Sequence, residues 1–198
     1  VIQIGTWAGK LTSSESALRL EGGATLRLVN GNTNAGGAIA AKIYVQNASA
    51  ETPAVIEGSN YGNASVLSGG ITGTGVVCLK SYMGNTFTVS GSITDGTEGA
   101  LHVKVTAVNG VIFSGANTYT GGTEITEGAA LTISNRAGVG TSGTITGAGT
   151  LKVTGAYSGN TNVNPLANVS GLTEAGWTGT VLLAVTGSRP QLVLNTYG

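Results

Sequence analysis

The residues able to do chemistry are few and scattered. Asp95 is the only aspartate among nine acidic residues. It stands in Thr94-Asp95-Gly96, where a carboxylate that bonds nearby backbone is ordinary turn chemistry. Glu124 and Glu127 are close in sequence, but glycoside hydrolysis needs two carboxylates at a defined separation across the bond, and this pair flanks one short stretch with no other acid near it. His102 alternates with Leu101 and Val103, which directs it to solvent from a strand. Cys78, in Val76-Val77-Cys78-Leu79, reads as a small core residue. As the single cysteine it forms no internal disulfide. One histidine and one cysteine cannot assemble a zinc set, and the repeated aspartates of calcium-binding nonapeptides are missing. The reading is a non-enzymatic chain with no catalytic, cofactor or metal residue assigned.

Two further groups of side chains could bind. Trp7, Tyr44, Tyr61, Tyr82, Tyr119, Tyr157, Trp177 and Tyr197 include candidates for a platform that stacks on sugars. Their spacing forms no single stripe, so packing and hydrogen bonding at corners is the stronger reading. Asn-x-Ser sequons at Asn47, Asn63 and Asn168 are candidate glycan attachment sites if the chain passes through a glycosylating pathway.

Charge narrows the partners. Nine basic residues balance nine acidic ones, leaving no basic stripe for nucleic acid and no polybasic segment for an anionic membrane. The longest apolar run, Val181–Val185, is too short to span a bilayer. The opening VIQIGTWAG lacks the charged start of a signal peptide, so a processed form or an excised domain is expected. Scarce cysteine in a Thr/Asn/Gly-rich chain fits a bacterial surface protein better than a disulfide-stapled secreted domain.

The elements behind these residues are strands. Gly numbers 34 of 198 residues and charged residues make up 9%, against about 25% charged in an average domain. Disorder would suit such a composition, yet 40% hydrophobic residues supply the core that disordered chains lack. Leu18/Leu20, Leu26/Leu28, Leu101/Val103/Val105, Phe87/Val89, Leu131/Ile133, Leu151/Val153 and Leu192/Leu194 repeat a period of two, the mark of strands with one buried face. Glycine punctuates the gaps. Weak helical patches at 13–20 and 35–45 leave little helix expected.

A loose repeat overlies the alternation. SGGITGTGVVCLK from Ser68, SGSITDGTEGALHVKV from Ser90 and SGTITGAGTLKV from Ser142 look alike. Ser-Gly pairs at 68, 90, 114, 142 and 170 are spaced by 22, 24, 28 and 28 residues, a length suited to one coil of a solenoid. Such coils stack about 4.8 Å apart, with inward Leu, Ile and Val forming an apolar column and outward Thr, Asn and Ser facing water. A single solenoid domain over 1–198 with roughly eight coils follows from that spacing.

Asn117-Thr118-Tyr119-Thr120-Gly121-Gly122-Thr123, followed by Ile125, Gly128, Leu131 and Ile133, resembles the autotransporter-associated β-strand repeat, also called the passenger-associated transport repeat. One good copy spans about 110–134, with the lead-in GVIFSGA, and fainter echoes lie around 68–80 and 142–160. The resemblance implies a coil of a right-handed parallel β-helix in a large secreted surface protein. Glu124 departs from the family's usual small polar residue, and no translocator barrel is present. The competing fold is a Gly-rich β-sandwich with Gly121-Gly122 as a hairpin turn.

Both ends, VIQIGTW and PQLVLNTYG, are apolar and strand-like, without the polar cap that solenoids use to blunt an open edge. The expectation is therefore a structural protein of the bacterial cell surface that associates with itself or with flanking repeats, head to tail into a filament. The alternatives are an adhesin passenger that binds glycans and a polysaccharide-processing β-helix enzyme.

Overall fold

Side chains that alternate with period two, cut every few residues by glycine, can bury one face only if the chain keeps winding back onto itself. The computed structural model shows that winding. It describes residues 2–4, 17–30, 38–60, 65–82, 86–134, 138–140, 144–157 and 176–187, and all their regular structure is β. The first face is a seven-stranded sheet ordered β1 (Ile2–Ile4), β3 (Thr25–Asn30), β6 (Ala54–Asn60), β9 (Gly75–Tyr82), β12 (Leu101–Val105), β14 (Thr123–Ile125) and β16 (Ile145–Gly147). The second is also seven-stranded: β4 (Ala38–Ile39), β7 (Val66–Leu67), β10 (Phe87–Val89), β13 (Val111–Phe113), β15 (Ala130–Ile133), β17 (Thr150–Tyr157) and β18 (Thr180–Gly187). A third, four-stranded face holds β2 (Ala17–Glu21), β5 (Lys42–Gln46), β8 (Ile71–Gly73) and β11 (Ile93–Asp95).

Strands in each sheet pair in parallel with the strand one coil away. The architecture is a β-solenoid, and the sandwich alternative, which needs antiparallel hairpins, is set aside. Gly121-Gly122 is a corner between faces, not a hairpin turn. The weak helical patches hold no helix where they are described: Leu18 and Leu20 lie in β2, and Ile43 and Val45 in β5.

Register explains the core. On the first face Leu26, Ile56, Leu79, Val105 and Ile125 stand one above another. On the second, Leu67, Val89, Phe113, Ile133 and Val153 do the same, and on the third Ile43, Ile71 and Ile93. All are buried in one continuous cluster. Burying each such side chain is worth about 2 kcal/mol, and each packs against copies above and below. Cooperation between neighbouring coils, more than any one strand, therefore holds the rod.

Coil length changes along the axis. Val105 pairs with Ile125 and Phe113 with Ile133, offsets of 20 residues, whereas Leu26 pairs with Ile56 at 30. The short coils follow β11, the last strand of the third face. This overturns part of the expected repeat. Ser68, Ser90 and Ser114 each follow a second-face strand in register, but the next equivalent is Ser134, not Ser142. Likewise Ile71-Thr72-Gly73 and Ile93-Thr94-Asp95 pair on the third face, while Ile145-Thr146-Gly147 sits on the first. Among the described residues each main face holds seven strands, where the spacing suggested roughly eight coils.

Candidate functional site

The stretch that resembles the repeat family closes one full coil, from β13 on the second face through β14 on the first to β15 back on the second. Its middle replaces the missing fifth strand of the third face. Asn117 is buried, and its Oδ1 accepts the Ile93 N–H at 2.8 Å. Its Nδ2 donates to the Gly138 carbonyl at 2.7 Å, one coil further on. The Thr118 N–H donates to the Ile93 carbonyl, so the ladder is completed by one side chain and one amide. Asparagine suits this position because one short side chain carries both a donor and an acceptor.

Tyr119 turns inward and is fully buried. Its hydroxyl lies 2.5 Å from Thr123 Oγ1, which satisfies two polar atoms inside the apolar column. Burial pushes the Tyr119 phenol well above its ordinary pKa, outweighing the opposite pull of the Thr123 hydrogen bond. Gly121 and Gly122 form the corner, where a side chain on Gly121 would strike the Leu101 carbonyl. Ile125 joins the core and Gly128 sits in the turn before β15.

Asp95 ends β11 and reaches the coil above. Its carboxylate accepts the Leu101 N–H at 2.7 Å, the Thr120 N–H at 3.0 and 3.1 Å, and the Thr120 hydroxyl at 2.7 Å. Burial alone would raise its pKa, but the bonds from Leu101 and Thr120 outweigh it and lower the value. A carboxylate so held is a clamp between coils, poorly placed for proton transfer.

Two sets of charges on the first face pair across coils with opposite sign. Arg27, Glu57 and Lys80 stand in register on three coils. Glu57 is buried, 2.7 Å from Arg27 Nε and 3.4 Å from Lys80 Nζ. On the next two coils, in a neighbouring column, Lys104 Nζ meets Glu124 Oε1 at 3.0 Å, and Glu124 takes an outward position between buried Thr123 and Ile125. His102 is half-buried on that face. Its Nδ1 lies 2.7 Å from the Gly121 carbonyl and its Nε2 3.9 Å from Glu124. Sequence reasoning missed these ladders, because partners 20 to 30 residues apart carry no local signal.

Cys78 is buried, but on the outer side of β9: Val77 and Leu79 beside it point into the core cluster, and Cys78 Sγ lies 3.4 Å from Thr106 Oγ1. Among the candidate aromatics, Tyr119 and Trp177 are buried and Tyr44 is exposed. Tyr82 and Tyr157 end strands, while Trp7, Tyr61 and Tyr197 lie outside the described residues. Of the sequon asparagines, Asn47 is an exposed corner with φ 51° whose amide donates to Glu21 at 2.8 Å; Asn63 and Asn168 lie outside the described residues.

Among the described residues no group of three or more His, Cys, Asp or Glu is placed to hold a metal. No helix there is long and apolar enough to cross a membrane. An open groove of about 350 Å³ runs across the third face, lined by Arg19, Tyr44, Gln46, Thr72, Asp95 and Glu98 among others. Comparison with known family models, curated proteins and solved structures gives no match.

Proposed function

We propose that this chain is a non-enzymatic structural segment of a bacterial cell-surface protein, a stiff β-solenoid that associates end to end outside the cell. The observation that supports it best is where the chemically capable side chains go. Asp95, Asn117, Glu57 and Glu124 each bond across a coil boundary, so their polarity serves stacking. The likeness of 117–133 to the autotransporter-associated repeat points the same way.

Self-association rests on the outermost strands. Among the described residues β18, eight residues long, pairs with β17 alone, and β1 with β3 alone. An extended strand with one ladder side open is a template for strand addition. Light scattering over a concentration series tests this reading. Apparent mass is expected to rise with concentration, and a constant monomer mass would contradict it.

A further inference from the structure

On the third face the outward polar groups pair only in part: Arg19 Nη1 donates to Gln46 Oε1 at 3.1 Å and the Thr72 hydroxyl to the Asp95 carbonyl at 3.0 Å. Arg19, Tyr44 and Thr72 occupy successive coils at one outward position. The Arg19 guanidinium carbon lies 6.0 Å from the Tyr44 ring centroid, so it covers one face of the ring. The register leaves the other face toward Thr72, where small residues 72–74 open the groove. Across the groove, the turn after β11 brings up Thr97 and Glu98, both exposed. Among the described residues, neither the Tyr44 hydroxyl nor the Glu98 carboxylate has a hydrogen-bond or ionic partner.

We propose that this groove is a saccharide-binding shelf, with Tyr44 as its stacking wall, Arg19 as donor and Glu98 as acceptor, and that it takes a neutral oligosaccharide. A half-exposed aromatic ring (Tyr44 is 38% exposed) offers an apolar face beside a polar tip, which matches the C–H face and hydroxyl rim of a sugar. Donors and acceptors stand together, as a ring of hydroxyls requires. The carboxylates of Asp95 and Glu98 disfavour sulfated or uronic glycans, because like charges raise the cost of desolvation at close range. An extended peptide fits less well, since the groove lies across a sheet face and offers no open ladder for strand addition.

The test uses the 198-residue chain at low concentration, so that binding is read independently of polymer formation. An array of neutral, sulfated and uronic oligosaccharides selects the ligand, and calorimetry compares the original chain with Tyr44→Ala, Tyr44→Phe and Glu98→Gln. Circular dichroism and the unfolding midpoint verify that these surface variants stay folded. The expected result is selective binding of a neutral saccharide that weakens about tenfold or more in Tyr44→Ala, little in Tyr44→Phe, and about fivefold in Glu98→Gln. The proposal is overturned by binding of anionic glycans alone, by affinity indifferent to Tyr44→Ala, or by the lack of any binder.

Discussion

Asn117 sits where the third sheet has run out of strands, supplying one acceptor to the coil below and one donor to the coil above. Asn117→Ala leaves both partners unmet in a buried place and should lower stability by about 2 kcal/mol, read from the urea midpoint. Nearby, Tyr119→Phe removes only the hydroxyl and should cost about 1 kcal/mol, whereas Tyr119→Ala also opens a cavity and should cost about 4 kcal/mol. If the two Tyr119 variants unfold at the same midpoint, the ring is not packed as described. Asp95 adds a pH dependence. Its pKa is lowered on folding from the ordinary 3.8, so its contribution is fully present above that value and is lost as pH falls through the folded value. Stability should therefore drop below about pH 4, and Asp95→Asn should flatten that part of the profile in pH-dependent denaturation. Turn chemistry at Asp95 is legible in Thr-Asp-Gly. Its partner Thr120, 25 residues on, is not, because nothing local fixes which residue the next coil will place there.

At the scale of elements, alternation identifies the strands, and the coil at 110–134 is legible because its corners carry their own residue types. What alternation does not encode is the face. A Ser-Gly pair followed by Ile-Thr-Gly specifies a turn and a short strand, and such a unit lies on the third face at 71–73 but on the first at 145–147. Past the end of the third face the next coils take only 20 to 22 residues, before the last described one returns to 30, and similar segments slide out of register. Two substitutions probe the corners. At Gly128, with φ +75° and open space around the added Cβ, alanine should cost only the left-handed strain, about 1 kcal/mol. Gly147 has φ +104° and an added Cβ would stand 2.1 Å from the Ile125 carbonyl oxygen, so alanine there should cost roughly 3 kcal/mol. Equal thermal midpoints for the two would contradict the close approach of coils. Glu57→Gln tests the ladder: it leaves Arg27 and Lys80 facing a neutral group and should cost about 2 kcal/mol, with the loss of Glu57's attraction to Lys80, the more exposed partner, shrinking as salt is raised.

For the whole molecule, parallel sheets and shared columns make a rod whose stability grows with each coil added. Few long-range charges oppose such growth: the chain is formally neutral, and the first-face charges that stand in register, Arg27/Glu57/Lys80 and Lys104/Glu124, are opposite in sign, where like charges would repel. A rod of this kind meets its next copy as one coil meets another. Electron microscopy and diffraction of the concentrated chain test that claim most directly. The account predicts filaments one solenoid wide with a reflection near 4.8 Å along the long axis. Isolated particles of monomer size at every concentration, or a strand spacing that runs across the axis of the fibre, would contradict it.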